Sequence, residues 1–333
     1  MRRNERDGPT RAQKSISFYQ DGRDAASGKF RERSRLHELT YPQMLIEDVY
    51  SQIMPLSAFS TRAKIRVALV PPSAAAEGIV ASALSSRERS RRHELGPAVC
   101  DFMRKCVQTM MVFGEAVYEI VYLTENESGI ARGFELQYVP PMTVTRKGGL
   151  FIQHVPDEIA REHHVPTSIA LPAQSVLIFE PPASRRQQIS RATDALARLS
   201  GNPIPDFAFE DGRRTATTLQ FDSGNHAHAQ ELALAEATRA IGWSARGLLQ
   251  DCMSDVYRLR RELRFERFKI EMRTAILETL NIGLRRTDGK LAGLGQIEIS
   301  GLPTARDVSS AEEQLEAGGT PFGQIINPFL QYR

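Results

Sequence analysis

The chain has 333 residues, 41% of them apolar and 25% charged, with a formal net charge of +3. That length is enough to bury a sizeable core and to form two structural units or one large irregular one, and the composition is that of a folded protein, not a disordered or fibrous one. No run approaches the roughly 20 apolar residues of a membrane span, the basic start MRRNERDGPTRAQK has no apolar segment behind it to make a secretory signal, and Cys100, Cys106 and Cys252, odd in number and without CxxC spacing, read as reduced thiols.

The charge is uneven. Residues 1–35 hold ten Arg or Lys and five Asp or Glu, an arm of +5 that leaves −2 for the rest of the chain. A basic arm on a nearly neutral body suits an acidic partner, nucleic acid or another subunit, although a solvated tail has the same composition. RERSRLHEL at 31–39 is echoed by RERSRRHEL at 87–95, with eight of nine positions matching. The flanks do not match, so this is no duplicated domain. The His-Glu pairs inside it lack the second His four positions on that a metalloprotease helix requires.

PQMLIEDVYSQIM, from about Tyr41, reads as a helix with Met44, Leu45, Val49 and Ile53 near one face. TRAKIRVALVPP reads as a strand stopped by Pro71-Pro72, and SAAAEGIVASALSS as helix or loop. Gly96-Pro97 opens a second helix whose stripe is Val99, Phe102, Cys106, Met110 and Phe113. In VQTMMVFGEAVYEIVYL the apolar period changes from helical to alternating at Gly114, so the glycine ends the helix and EAVYEIVYL runs on as a strand, with Ala116, Tyr118, Ile120 and Tyr122 on one face. NESG is a turn, Lys147-Gly148-Gly149 a hairpin turn between short strands, and LPAQSVLIFEPP another strand.

After Pro182 the pattern becomes helical. Ile189 to Ser200 is amphipathic, 201–225 is a loop-rich insert with one strand, TTLQF, and His226 to Ile241 is helical until GWSARG breaks it. Asp255 to Leu284 is the longest helix. Its stripe is Val256, Leu259, Leu263, Phe265, Phe268, Met272, Ile276 and Leu280, and Arg258, Arg261, Arg264, Arg267 and Lys269 lie opposite. QIEIS is a last strand, and a short helix covers Ser309 to Ala317.

Signatures of catalysis are missing from this order. The chain has no phosphate-binding GxxxxGK[ST] loop and no GxSxG elbow. His163 and His164 would point to opposite faces of a strand, and His226 and His228 share a face if extended but no carboxylate or Cys completes a set. No enzyme, cofactor or metal is therefore expected. The Arg-rich YRLRRELRFERFK leaves two readings: a nucleic-acid-binding helix, or a helix packed between subunits with ion pairs involving Arg258, Glu262, Arg267 and Glu271, which fall at i, i+4.

The order of these elements resembles the portal (head-tail connector) protein family of tailed bacteriophages over roughly residues 40–320. GEAVYEI, LQYVPPMTVT and SVLIFEPP are similar to the family's wing domain; ELALAEATRAIGWSARGLL is similar to its stem helix running into the tunnel loop; FERFKIEMRTAILETLNIGL is similar to the long helix that follows, and IEISGLPTARDVSSAEEQLEAGG to the C-terminal segment. Trp243-Ser244 stands where the family has Val-Pro, and the insert is a reduced clip.

The resemblance implies an α+β, portal-like fold. It has a basic arm (1–35), a mixed α/β wing (36–183), a stem helix (184–200), a short clip (201–225), a second stem helix (226–241), a tunnel loop (242–254), a long wing helix with a wing strand (255–300), and a C-terminal crown or tail segment (301–333). It further implies a homo-oligomeric ring of about twelve subunits at one capsid vertex. Double-stranded DNA would pass through the ring without sequence specificity during packaging and ejection. The implied partners are the major capsid protein, the large terminase and the head-tail adaptor, in the host cytoplasm during assembly and then in the virion, with no membrane involved. Gly242, Ser244, Arg246 and Gln250 are the implied channel-lining residues; Asp206, Glu210, Asp211, Arg213 and Arg214 are the clip residues open to partners. The alternative is an Arg-rich helical DNA-binding replication or recombination factor, and a hydrolase with an unrecognised site is a third class.

Overall fold

A computed structural model describes residues 40–54, 65–85, 94–124, 130–201, 223–249, 254–287, 290–291 and 293–330. The basic arm, the two basic repeats apart from Glu94 and Leu95, the NESG turn and residues 202–222 of the clip, with TTLQF, lie outside the described residues. Elements in chain order are α1 (Tyr41–Ile53), β1 (Arg66–Val70), α2 (Ala74–Leu84), α3 (Leu95–Phe113), β2 (Ala116–Thr124), β3 (Ala131–Val139), β4 (Val144–Lys147), β5 (Leu150–His154), α4 (Asp157–Glu162), β6 (Ser168–Pro172), β7 (Val176–Phe179), α5 (Ala183–Gly201), α6 (Ser223–Ala237), α7 (Asp255–Thr287), β8 (Gln296–Ser300), α8 (Ala305–Ala317) and α9 (Phe322–Leu330). The mixed α+β class expected from the sequence is present.

The period change at Gly114 is a helix turning into a strand. Gly114 has φ 83°, and its N–H donates to Met110 O at 2.9 Å, the single bond of a left-handed helix stop. β2 then forms the centre of a three-stranded antiparallel sheet ordered β3-β2-β7. Alternation assigns its two faces to two cores. Ala116, Tyr118 and Ile120, with Phe134, Leu177 and Phe179, enter the main core under α3 and α7. Val117, Val139 and Val176 face a second core built with Val155, Ala160, Ile169 and Leu171. This second core is supplied by the β4-β5-β6 sheet and α4. The β4-β5 hairpin turns at Gly148 and Gly149, both with positive φ, as a type I′ turn demands.

Residues 66–70 and 296–300 are distant in sequence but pair as an antiparallel two-stranded sheet. The pairing holds the C-terminal third against the N-terminal helices. α8 begins with a reciprocal cap: Thr304 Oγ1 accepts from the Asp307 N–H at 3.3 Å, and the Thr304 N–H donates to Asp307 Oδ2 at 2.7 Å. This cap moves the start of the helix from the expected Ser309 to Ala305.

The long helix departs from expectation. α7 runs for 33 residues, and its apolar residues form two stripes, not one. Phe265, Phe268, Met272, Ile276 and Leu280 enter the main core, whereas Leu259 and Leu263 pack with Ile270 against Val308, Ala311 and Leu315 of α8 and Ile325 and Phe329 of α9. Val256 is exposed. The supposed charged face is also divided, because Arg261 and Lys269 are buried. A helix covered on two sides buries charge on what would otherwise be its solvent face. Lys269 meets that cost by donating to Glu266 Oε1 at 2.6 Å and Gln52 Oε1 at 3.1 Å.

Candidate functional site

The site implied by the resemblance lies where α6 hands the chain to α7. α5 and α6 form an antiparallel helical pair: Arg185 near the start of α5 reaches Ala240 O past the end of α6, and the Tyr41 N–H donates to Ser200 Oγ at the far end of α5 while Gln230 of α6 donates to the Tyr41 hydroxyl. α6 ends earlier than expected. The chain from Thr238 tightens into a turn whose Gly242 N–H donates to Thr238 O at 2.8 Å.

The turn is docked on three sides. Gly242 has φ 85°, and a Cβ there would sit 2.3 Å from Arg261 O and 2.8 Å from Phe265 N. Only glycine can adopt that φ without strain and also let α7 come this close. Below it, the Arg261 guanidinium is 1% exposed and bonds Ala235 O at 2.9 Å, Thr238 Oγ1 at 2.6 Å and Trp243 O. One cation from α7 thereby holds the last turn of α6 and the turn beyond it. On the third side stands α1. Asp48 Oδ2 accepts from Trp243 Nε1 at 2.7 Å, and its Oδ1 accepts from Arg246 Nε at 2.8 Å. Arg246 also pairs with Glu47 at 2.9 Å. Partial burial alone would lower the Arg246 pKa, but the hydrogen bonds and charges of Glu47 and Asp48 outweigh it and raise the value. Between these anchors Ala245 and Arg246 adopt φ 50° and 54°. Left-handed backbone costs a residue with a Cβ about 1–2 kcal/mol.

The expected channel residues separate accordingly. Gly242 is buried beneath α7, Ser244 is half-buried, and Arg246 is partly exposed with its charge committed to α1. Gln250 and the clip residues Asp206, Glu210, Asp211, Arg213 and Arg214 lie outside the described residues. The described part of the implied tunnel loop is tied to α1, because Trp243 at 1% exposure and Arg246 both bind Asp48.

Three of the four charges expected in ion pairs between subunits, Arg258, Arg267 and Glu271, have partners within one chain. Arg267 pairs with Glu312 of α8 and reaches Ser309. Glu271 receives both Nε and Nη2 of Arg185, at 2.6 and 3.0 Å. Arg258 donates to Asp255 at 2.8 Å, and Glu262 is half-buried on α7. Arg185 of α5 and Glu312 of α8 reach α7 from elsewhere in the chain, which helical spacing alone does not reveal.

A second polar cluster caps the C-terminus of α1. Arg104 of α3 bonds Ser51 O and Met54 O, and Arg273 of α7 bonds Ile53 O at 3.4 Å and Pro303 O at 2.8 Å. Cations at helix-terminal carbonyls offset the helix dipole. Burial pushes the Arg273 pKa down to about 10, with the charge of Glu266 restoring part of it.

The histidine readings change. His163 and His164 sit at the end of α4, exposed, rather than on a strand. His226 and His228 belong to α6 rather than to an extended segment. A cleft of about 480 Å³ between α8 and α9 is lined by Ser310, Gln314, Gln324, Ile325 and Phe329, and its one carboxylate, Asp307, is engaged in the Thr304 cap. No three His, Cys, Asp or Glu converge on a metal-sized site among the described residues, and no described helix is long and apolar enough to cross a membrane. No family model and no curated protein matches this sequence.

Proposed function

We propose that the chain is a portal subunit of a tailed bacteriophage: a non-enzymatic, wedge-shaped component of a ring through which double-stranded DNA enters and leaves the capsid. The observation that carries this reading is the succession of α5, the insert, α6, a glycine turn and the 33-residue α7, mounted on a mixed α/β body. Antiparallel α5 and α6 supply a stem about 28 Å long from the 19 residues of α5. The insert at its far end is the clip that would meet the large terminase and later the head-tail adaptor. The turn at 242–246 is the element nearest the channel, and the basic arm is available to neighbouring subunits, the major capsid protein or DNA. Neither a nucleotide loop nor a metal is needed, because a separate motor supplies the energy.

Sliding DNA sets a physical requirement on the wall. Each phosphate neutralised by the protein adds about 0.9 to the salt slope of binding, so a ring of free arginines would clamp the duplex. Several charges on α7 are engaged inside the chain, Arg267 with Glu312, Glu271 with Arg185 of α5, and Arg261 with backbone carbonyls, and Arg246 is paired with Glu47 and Asp48. A channel wall built this way holds DNA weakly. The DNA-binding replication or recombination factor has less support, since it needs Phe265 and Phe268 free to stack on bases and both are buried.

Light scattering and negative-stain microscopy of the purified full chain test the proposal. Rings of many subunits with a central hole are expected. A monomer or dimer that binds duplex DNA with a steep salt slope would overturn it in favour of the DNA-binding factor.

A further inference from the structure

Ala245 and Arg246 are strong helix formers, yet both hold left-handed backbone in a turn between two helices. Local preference and native conformation conflict here, and such conflicts concentrate at switching elements. Among the contacts that hold this turn, one carboxylate bridges two of its residues. Asp48 binds Trp243, two residues before the left-handed pair, through its Nε1 and the second member of the pair through Arg246 Nε, using one oxygen for each. Asp48 is itself largely buried, with a side chain 13% exposed, so water competes weakly for those bonds.

We propose that residues 242–246 are a two-state latch with Asp48 as its positioning residue. In the docked state Asp48 holds Trp243 and Arg246 on α1 and keeps Ala245 and Arg246 left-handed. In the released state both residues relax to right-handed backbone, and Trp243 leaves its site beside Thr238 and Arg261. The latch is a property of one chain and stands whether or not the chain forms a ring. In the portal reading it sets how far the turn projects towards DNA.

Trp243 is the only tryptophan of the 333 residues, so its fluorescence reports this turn alone. Acrylamide quenching is measured on the full chain, on Asp48→Ala, and on Asp48→Ala combined with Ala245→Gly. Asp48→Ala is expected to raise the quenching constant on the order of tenfold as the population shifts to the released state, with far-UV circular dichroism retained. Adding Ala245→Gly is expected to restore much of the protection, because glycine adopts the docked φ without strain. If Asp48→Ala does not fold, Asp48→Asn, which keeps an acceptor but loses the charge, is expected to give an intermediate quenching constant with the fold intact. Trp243 equally protected in all variants, or further exposed by Ala245→Gly, overturns the latch. So does exposure that appears only together with loss of the circular dichroism signal in both Asp48 variants, since the turn would then be part of the cooperative core.

Discussion

Gly114 and Gly242 have nearly the same backbone, φ 83° and 85°, and both end a helical segment, but they answer to different constraints. Around Gly114 nothing lies within 4 Å of where a Cβ would be. That glycine serves local geometry alone, turning α3 into β2. Gly242 serves local geometry and also a contact with α7 in which a Cβ would meet Arg261 O at 2.3 Å. The same residue type in the same conformation is thus a corner in one place and a docking surface in the other.

Substitutions separate the two roles. The largest effect is expected for Gly242→Ala, which adds left-handed strain of about 1–2 kcal/mol to an overpacking cost of about 1–3 kcal/mol. A loss of about 2–5 kcal/mol should appear as a lower urea midpoint with an unchanged slope. Arg261→Met comes next. It leaves Ala235 O, Trp243 O and Thr238 Oγ1 without their shared donor and should cost about 3 kcal/mol, with Trp243 emission moving to the red. Gly114→Ala should cost only about 1–2 kcal/mol, the left-handed term alone, and leave Trp243 emission unchanged. An equal loss for Gly114→Ala and Gly242→Ala would break the distinction.

The smallest effect concerns the α8 cap and depends on pH. Hydrogen bonds from the Thr304 side chain and backbone lower the Asp307 pKa. A carboxyl lowered in the folded state contributes stability that is present above its unfolded value near 3.8 and is lost as pH falls through the folded value. On acidification, amides at the start of α8 should therefore lose hydrogen-exchange protection before those of the α7 centre, and Thr304→Ala should abolish that difference in pH response.

Legibility in the sequence follows the range of the contacts. The Gly114 corner, the Gly148-Gly149 hairpin and the alternating faces of β2 were all readable, because each is decided by residues within a few positions. GWSARG was recognisable as a break in the helix, but its docking was not. Asp48 and Trp243 are 195 positions apart, and nothing local marks Asp48 as their meeting point. Arg261 and Lys269 read as members of a charged face opposite the apolar stripe because periodicity sees one helix at a time; the helices covering the second side of α7 come from residues 305–317 and 322–330. The single stripe on α7 failed for the same reason. Pairing of β1 with β8 joins strands more than 200 residues apart, and only the possibility of each strand was visible beforehand.

The most direct test of the account is an electron-microscopy reconstruction of the full chain as it assembles. The account predicts a ring whose narrowest constriction is formed by the turn at 242–246, with Trp243 and Arg246 docked on Asp48 of the same subunit. A ring in which this turn faces away from the axis, or particles with no central channel, would contradict it.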